Sequence, residues 1–501
     1  MALTRKEFDV LSTLATSPDD ARAQAASPEL DELRSMGLVS GTAITELGRK
    51  ALEPYRVENA VIMAAGLSSR FVPVSYWRPK GLTSVRGEVL IERQIRQLHE
   101  AGVTDITVVV GYRADEFAYL AEKYGVRLVT NDLYAERNNN WTLWLVRDQL
   151  RNTYICSSDD YFAQNPFETY VYRAYYSAVY MDGSTDEWCL GVDENDRITS
   201  VTVGGKDAWA MLGHVYFDRA FSNTFVRILE SIVRSPFYEE KYADELWETI
   251  FARNPDCLSM DIRRYPAGQV LEFDSVDELM EFDPSFLTKV ECPALDNIVD
   301  VLGCERTQLH GFYPIKNGLT NLTFHFAVGA EEYVYRHPGV GTEKFINRAA
   351  EKDADTVAHE LGIDRTFVYE DAEKGWKISH FVPNAKNVDP FDSSEVARAM
   401  QLARTFHESG ARIDATFDFY RDGLGYERLL KSHGNINIPG YDELCEKVTR
   451  LNEYCTADEG FSACFCHNDY LPLNFLIGED GSMSVIDWEF AGMGGRGPDD
   501  R

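Results

Sequence analysis

Two stretches of the 501-residue sequence carry residue types suited to phosphate chemistry. In the first, Ala65, Gly66, Leu67, Ser68 and Arg70 follow the apolar residues 61–64. Small side chains at the end of a strand let backbone N–H groups approach and cradle a polyphosphate. Arg70 adds a planar, permanently charged fork for phosphate oxygens. Lys80, ten residues beyond Arg70 and behind Pro79, returns a second cation to the same place. Asp159 and Asp160 stand shortly after the strand-like residues 154–156, at the carboxyl edge where α/β folds bind ligands. In the second stretch, His467, Asp469 and Asn474 have HxDxxxxN spacing, and Asp487 follows thirteen residues later. Phosphoryl transfer needs a carboxylate to orient a hydroxyl, plus an amide and a carboxylate to hold Mg2+. Asp469, Asn474 and Asp487 supply those types in that order.

The elements that would hold these groups are legible in the apolar pattern. Runs at 61–65, 106–110, 127–129 and 154–156 read as strands, with a helical pattern over 91–101. Strands alternating with helices predict a Rossmann-like parallel α/β sheet over residues 58–288, closed by a helix at 277–282. Over residues 289–501 the order changes. Residues 324–328 and 333–336 read as paired strands about a turn at Gly329-Ala330. Helical patterns follow at 394–408 and 441–454, and a further strand pair, 474–477 and 483–486, brackets a turn. A β-rich lobe ahead of a helical lobe is a kinase-like layout. Residues 1–57 read as a small helical unit with a wing-then-helix pattern at 44–52, which resembles an abbreviated winged-helix module. The expected fold class is therefore multidomain α/β and α+β, in three parts.

Residues 61–80 resemble the signature of the sugar-phosphate nucleotidyltransferase superfamily, in its phosphocholine cytidylyltransferase branch. The likeness extends from about residue 59 to 282. It implies that a phosphate oxygen of phosphocholine attacks the α-phosphorus of CTP and pyrophosphate leaves. It implies Asp159 as first metal ligand, with Asp160 beside it, and Asp244 as the second. Acids at 244 and 245 would equally suit the start of a solvated helix. The resemblance sets Asn139 and Thr142 near the cytosine or ribose, where a polar helix cap is the other reading. A trimethylammonium group favours aromatic faces. Trp188, Trp209 and Tyr216 fall in the region of the acceptor pocket, with core packing as the alternative for each. Ser68 stands where the family often has glycine, which predicts a stiffer loop.

The second stretch resembles the aminoglycoside phosphotransferase and choline kinase superfamily. Residues 318–321 resemble its short phosphate loop, ending at Asn321. Arg336 stands where that family's nucleotide-phosphate cation belongs, and Glu351 is implied as the acid that fixes it; a helix-surface acid is the other reading. Residues 338–351 resemble the bacterial choline kinase branch, which implies ATP and choline as substrates. The sequence ends fourteen residues after Asp487, so the C-terminal lobe of this domain is expected to be incomplete. Together the two resemblances imply choline to phosphocholine to CDP-choline in one chain.

The formal net charge is −31, a field that disfavours nucleic acid and anionic lipid as partners. No signal segment and no apolar run of about 20 residues occurs, which predicts a cytoplasmic protein. Nine cysteines are scattered without a CxxC pair or a Cys/His cluster of zinc-site spacing, so reduced thiols are expected. Two other functions compete: the same reactions on ethanolamine or a phosphonate, and a regulator whose enzyme-like domains sense ligands. Residues 1–56 hold seven Lys/Arg against nine Asp/Glu, whereas a DNA-reading head should be basic.

Overall fold

A computed structural model describes residues 3–16, 28–315, 321–339, 341–456, 463–495 and 499. The chain divides into two compact units, Met1–Cys292 and Pro293–Arg501. Among the described residues, no helix is long and apolar enough to cross a membrane.

The first unit opens with helices Arg5–Thr16 and Pro28–Ser35, a short hairpin Val39–Ser40/Ala43–Ile44, and helix Glu46–Leu52. Leu11, Leu14, Leu30, Leu33, Leu38 and Leu52 form its core. Thr45 caps the last helix by accepting from Gly48 N. Gly48 is required there, because a Cβ would lie 2.2 Å from Leu38 O. This small body sits on the larger sheet domain through Tyr55, which stacks on Tyr172 at 5.6 Å.

That domain is built on seven strands: β1 Asn59–Ala64, β2 Ile106–Val110, β3 Arg127–Thr130, β4 Thr153–Ser157, β5 Tyr175–Val192, β6 Ile198–Phe217 and β7 Asp261–Tyr265. Their order is β7-β5-β6-β4-β1-β2-β3. The four strands expected from the apolar runs pair in parallel, β4-β1-β2-β3. The sheet as a whole is mixed, which corrects the parallel expectation: β6 runs antiparallel to both β4 and β5. The long β5–β6 hairpin has several register shifts, and such irregular alternation hides a strand from periodicity. Both faces of the sheet are covered. Helix Leu90–Glu100 buries Ile91, Ile95 and Leu98 on one face. Helix Arg219–Val233 and Trp247–Arg253 bury Phe221, Phe225, Leu229 and Trp247 on the other. Strands covered on both faces read as continuous apolar runs, which is why β2 is Ile-Thr-Val-Val-Val.

The second unit carries an antiparallel sheet of β8 Leu309–Ile315, β9 Asn321–Val328, β10 Glu331–Pro338, β11 Phe367–Glu370 and β12 Lys377–His380, in the order β8-β9-β10-β12-β11. The expected hairpin about Gly329-Ala330 is β9–β10, with Val328 opposite Glu331. Helices Arg348–Glu360, Ser393–Glu408, Phe419–His433 and Tyr441–Thr456 follow or interleave. Two short ladders, Cys464–Cys466 with Gly492–Gly494 and Phe475–Ile477 with Met483–Val485, carry the loops of the second chemical stretch. Trp488 is fully buried and stacks on Phe465 at 5.3 Å, fixing those ladders to the core.

Candidate active sites

In the first unit, β1 and β4 are neighbours at the point where strand order reverses, and their carboxyl ends open a crevice there. The segment after β1 holds Gly66 and Ser68; Ser68 has φ +48°, the left-handed region that glycine enters freely. The chain returns at Pro79 and makes a tight turn over Lys80–Leu82. Gly81 lies against the end of β4 so closely that a Cβ would be 2.7 Å from Ser158 Cβ. This approach lets Lys80 Nζ reach Asp159 Oδ2 at 2.7 Å. Gly66, Ser68, Pro79, Lys80 and Asp159 border a cleft of about 80 Å3.

The pair is strongly polarised. Burial pulls the Lys80 ammonium down, but Asp159, Glu272 and Asp274 outweigh it and hold its pKa above the ordinary lysine value. Burial would raise Asp159, yet the charge and hydrogen bond of Lys80 win and hold it low. Arg70 is exposed and pairs with Asp274 at 3.0 Å, on the rim.

The acid that accompanies Asp159 is Glu272. A two-stranded ladder, Asp160–Phe162 with Val270–Glu272, sets Glu272 directly opposite Asp160. Burial, and then the Asp159 charge, push Glu272 up to about 7. Burial, Glu272 and Asp159 push Asp160 well above the usual carboxylate range, and its Oδ1 has no hydrogen-bond partner. Asp160, buried with an unpartnered oxygen, stands beside the half-buried Asp159 and the exposed Glu272, and such a set of like charges fits a hard divalent cation, which takes oxygen ligands and relieves their repulsion. Asp244 is exposed, and no contact among the described residues ties its carboxylate to Asp159. Its carbonyl accepts from Asn138 Nδ2 at 3.0 Å.

A second cavity of about 200 Å3 adjoins the first, with Met63 and Ser157 bordering both. Asn139, Asp160, Tyr176, Trp247, Glu248 and Glu272 line it. Asn138 is the N-cap of helix Asn139–Leu145. The cap thereby aims Asn139 Nδ2 at Glu248 Oε2, 3.2 Å away, while Asn139 Oδ1 accepts from Trp247 N at 2.8 Å. Burial pushes Glu248 up to about 7. Tyr176 and Trp247 stack at 5.8 Å. Of the other expected residues, Thr142 is buried behind the helix and accepts from Asn131 Nδ2, so it serves the scaffold. Tyr216 is wholly inaccessible, packed among Tyr154 and Tyr175, which removes it as a ligand wall. Trp188 and Trp209 pack on the core beneath the β5–β6 hairpin and do not line this cavity.

In the second unit, Asn474 Nδ2 donates to Asp469 Oδ2 at 2.9 Å and to its carbonyl at 2.8 Å. Arg336 on β10 pairs with Glu351 of helix Arg348–Glu360, and its Nη1 stands 3.8 Å from Asp487 Oδ1. Glu351 is fully buried, which overrules the surface-acid reading. Burial would raise it, but Arg336 and Lys377 hold it down at about 2. Asn321, at the start of β9, donates to Glu489 Oε2 at 3.4 Å and accepts from Arg348 at 3.1 Å. Residues 318–320 of the expected phosphate loop lie outside the described residues. Three groups escaped sequence reasoning. Glu489 joins Glu351 and Asp487 in one carboxylate cluster. Lys377 pairs with Asp355 at 2.5 Å inside the lobe. Asp499 accepts from His467 N at 2.8 Å and Asn468 N at 2.7 Å, pinning the loop that carries Asp469.

Comparison with known proteins finds relatives of both units. Residues 60–138 match the MobA-like NTP transferase domain, and residues 312–497 match the phosphotransferase enzyme family. A choline-phosphate cytidylyltransferase of Streptococcus pneumoniae is 33% identical over 224 residues, 45% of this chain and 96% of that protein. A 2-aminoethylphosphonate cytidylyltransferase of Lancefieldella rimae is 34% identical over 233 residues, 46% of this chain and 93% of that protein. Among solved structures, a choline kinase of Streptococcus pneumoniae is 26% identical, covering 41% of this chain and 70% of that one, with a TM-score of 0.35. By its match to nearly the full length of those two relatives, the chain belongs to the cytidylyltransferase family, as a nucleotidyltransferase joined to a kinase-like phosphotransferase domain.

Proposed function

We propose that the first unit transfers CMP from CTP to phosphocholine and that the second phosphorylates choline with ATP, so that one chain carries choline to CDP-choline. The observation that carries the first half is the Lys80–Asp159 pair at the reversal of strand order, with Glu272 facing Asp160 across the adjoining ladder. Backbone N–H groups of 65–68, with Arg70 and Lys80, would grip the triphosphate. A phosphate oxygen of the acceptor bonds to the α-phosphorus as the bond to the bridging oxygen breaks, and pyrophosphate carries that electron pair away. Lys80, buried and cationic, meets the developing charge without reorganising. A divalent cation, Mg2+ in this reading, would supply charge neutralisation when held by Asp159 and Glu272. In the second unit Asp469 orients the choline hydroxyl, Arg336 reaches the nucleotide phosphates, and Asn474 and Asp487 are the metal-holding pair.

One observation favours a second acceptor. Glu248, held by Asn139 Nδ2, offers carboxylate acceptors to a cation in the larger cavity, which suits a primary ammonium, whereas Tyr176 and Trp247 suit a trimethylammonium. Phosphocholine, phosphoethanolamine and 2-aminoethylphosphonate, each supplied with CTP and Mg2+, separate these readings by mass detection of the CDP product. Absence of every product would overturn the transferase reading. The remaining assignments rest on sequence. We read residues 1–57 as a winged-helix-like docking module, 58–288 as transferase and 289–501 as kinase, in a cytoplasmic enzyme.

A further inference from the structure

The sequence holds no zinc-site spacing, yet the fold of the second unit brings three soft-metal donor side chains together from distant residues. Cys464 and Cys466 lie two apart on a strand, so both thiols emerge on one face. Phe465 points the other way, onto Trp488. The two Sγ atoms are 3.6 Å apart. Helix Ser393–Glu408 crosses that face near its C-terminal end, and His407 joins the pair: the three donor atoms lie within 4.8 Å of one another. Cys466 is wholly inaccessible, Cys464 is 9% exposed and His407 is 6% exposed. The His407 ring meets Asp499 Oδ2 through Nε2, at 3.0 Å.

We propose that Cys464, Cys466 and His407 bind one soft divalent cation of the Zn2+ class, and that Asp499 links this metal to the catalytic loop of the kinase-like domain. A tetrahedral zinc with Zn–S of about 2.3 Å holds two sulfurs about 3.8 Å apart, so the thiols need hardly move. The Asp499 carboxylate against the ring forms a carboxylate–imidazole pair that orients His407 as a ligand. Thiolates select against Mg2+, so this site is chemically distinct from the phosphate-handling acids. Binding replaces the two thiol protons, and burial, followed by Asp499, raises Cys466 when no metal is present. The proposal rests on the kinase reading only for its consequence. Asp499 also accepts from His467 N and Asn468 N, immediately before Asp469.

The test uses the full-length chain, reduced, stripped with chelator, given Zn2+ and dialysed. Elemental mass spectrometry should find about one Zn2+ per chain, near zero for Cys464→Ser/Cys466→Ser, and a wild-type value for the exposed control Cys257→Ser. Should the double variant misfold, Co2+ added to the wild-type chain decides: a thiolate-to-cobalt charge-transfer band supports the site. Its absence, or zinc content equal in wild type and the serine variant, overturns it. So does a spontaneous 464–466 disulfide that forms equally with and without Zn2+. Zinc removal should lower ATP-dependent choline phosphorylation and leave CMP transfer unchanged. An active kinase is not needed for the metal count, so failure of the kinase reading and failure of the site are distinguishable.

Discussion

Lys80 and Asp159 come from loops 79 residues apart and pair through one hydrogen bond, which fixes a cation and a carboxylate side by side at the cleft. Replacing Asp159 with Ala should lower CMP-transfer kcat/KM roughly a thousandfold with a wild-type circular dichroism spectrum. Glu272→Gln should cost about a hundredfold and raise the Mg2+ concentration for half-maximal rate, whereas Asp244→Asn should stay within about twofold. Equal losses at Glu272 and Asp244 would refute the choice of Glu272. Glu248 gives a pH signature. Its folded-state pKa is about 7, above the ordinary glutamate value, so the folded chain binds more protons than the unfolded one in that window. The stability linked to this group is present at acid pH and is lost as pH rises toward and through 7. Ionised Glu248 attracts a cationic acceptor, so acceptor KM should fall by about tenfold per unit as pH rises toward 7 and level off above it. Glu248→Gln should flatten both the KM profile and the melting-temperature profile; an unchanged KM profile would remove Glu248 from the acceptor site.

Strands β1, β2 and β4 were legible because burial on both faces writes them as nearly uninterrupted apolar runs, whereas the half-exposed edge strand β3 shows only its central Leu128-Val129 pair. Glu272 was not legible. Its strand is three residues long, and its partner Asp160 is more than a hundred positions away, so neither periodicity nor local spacing marks it. The aromatic residues misled for a related reason: Trp188 and Trp209 sit in an irregular hairpin whose register shifts decide which ring faces the core. Thr142 sits on the right helix but on its buried side. At this scale the decisive contact is Gly81 against Ser158. Gly81→Ala would force the Lys80 turn away from β4, at a cost of about 1–3 kcal/mol if the core absorbs the strain. More tellingly, it should cut CMP transfer at least about tenfold by withdrawing Lys80. Ser158→Gly removes the clashing Cβ and Oγ, so the double variant Gly81→Ala/Ser158→Gly should recover activity. No recovery would mean that the glycine serves some other purpose.

Each of the two units has its own sheet, its own core and its own phosphate-handling acids, so their chemistries should be separable by single substitutions. Both resemblances were readable because each motif is local: Gly66 to Lys80 in one unit, and His467 to Asp487 in the other. The Arg336–Glu351 pair was implied by the resemblance, but the groups that extend and pin these networks, such as Glu489 beside Arg348 and Asp499 on the 467–468 backbone, join distant segments and emerged only from the fold. Asp469→Ala removes the group that orients the hydroxyl in the second unit while leaving Asn474 its backbone partner at Asp469 O. With choline, ATP, CTP and Mg2+ supplied together, this variant should form no CDP-choline. Adding phosphocholine to the same reaction should restore product at the wild-type rate, because the Lys80–Asp159 cleft is untouched. Asp159→Ala should do the reverse, accumulating phosphocholine that is never consumed. An Asp469→Ala chain that still makes CDP-choline from choline would place the hydroxyl-orienting group elsewhere. One that fails even with added phosphocholine would show that the two units depend on each other's integrity.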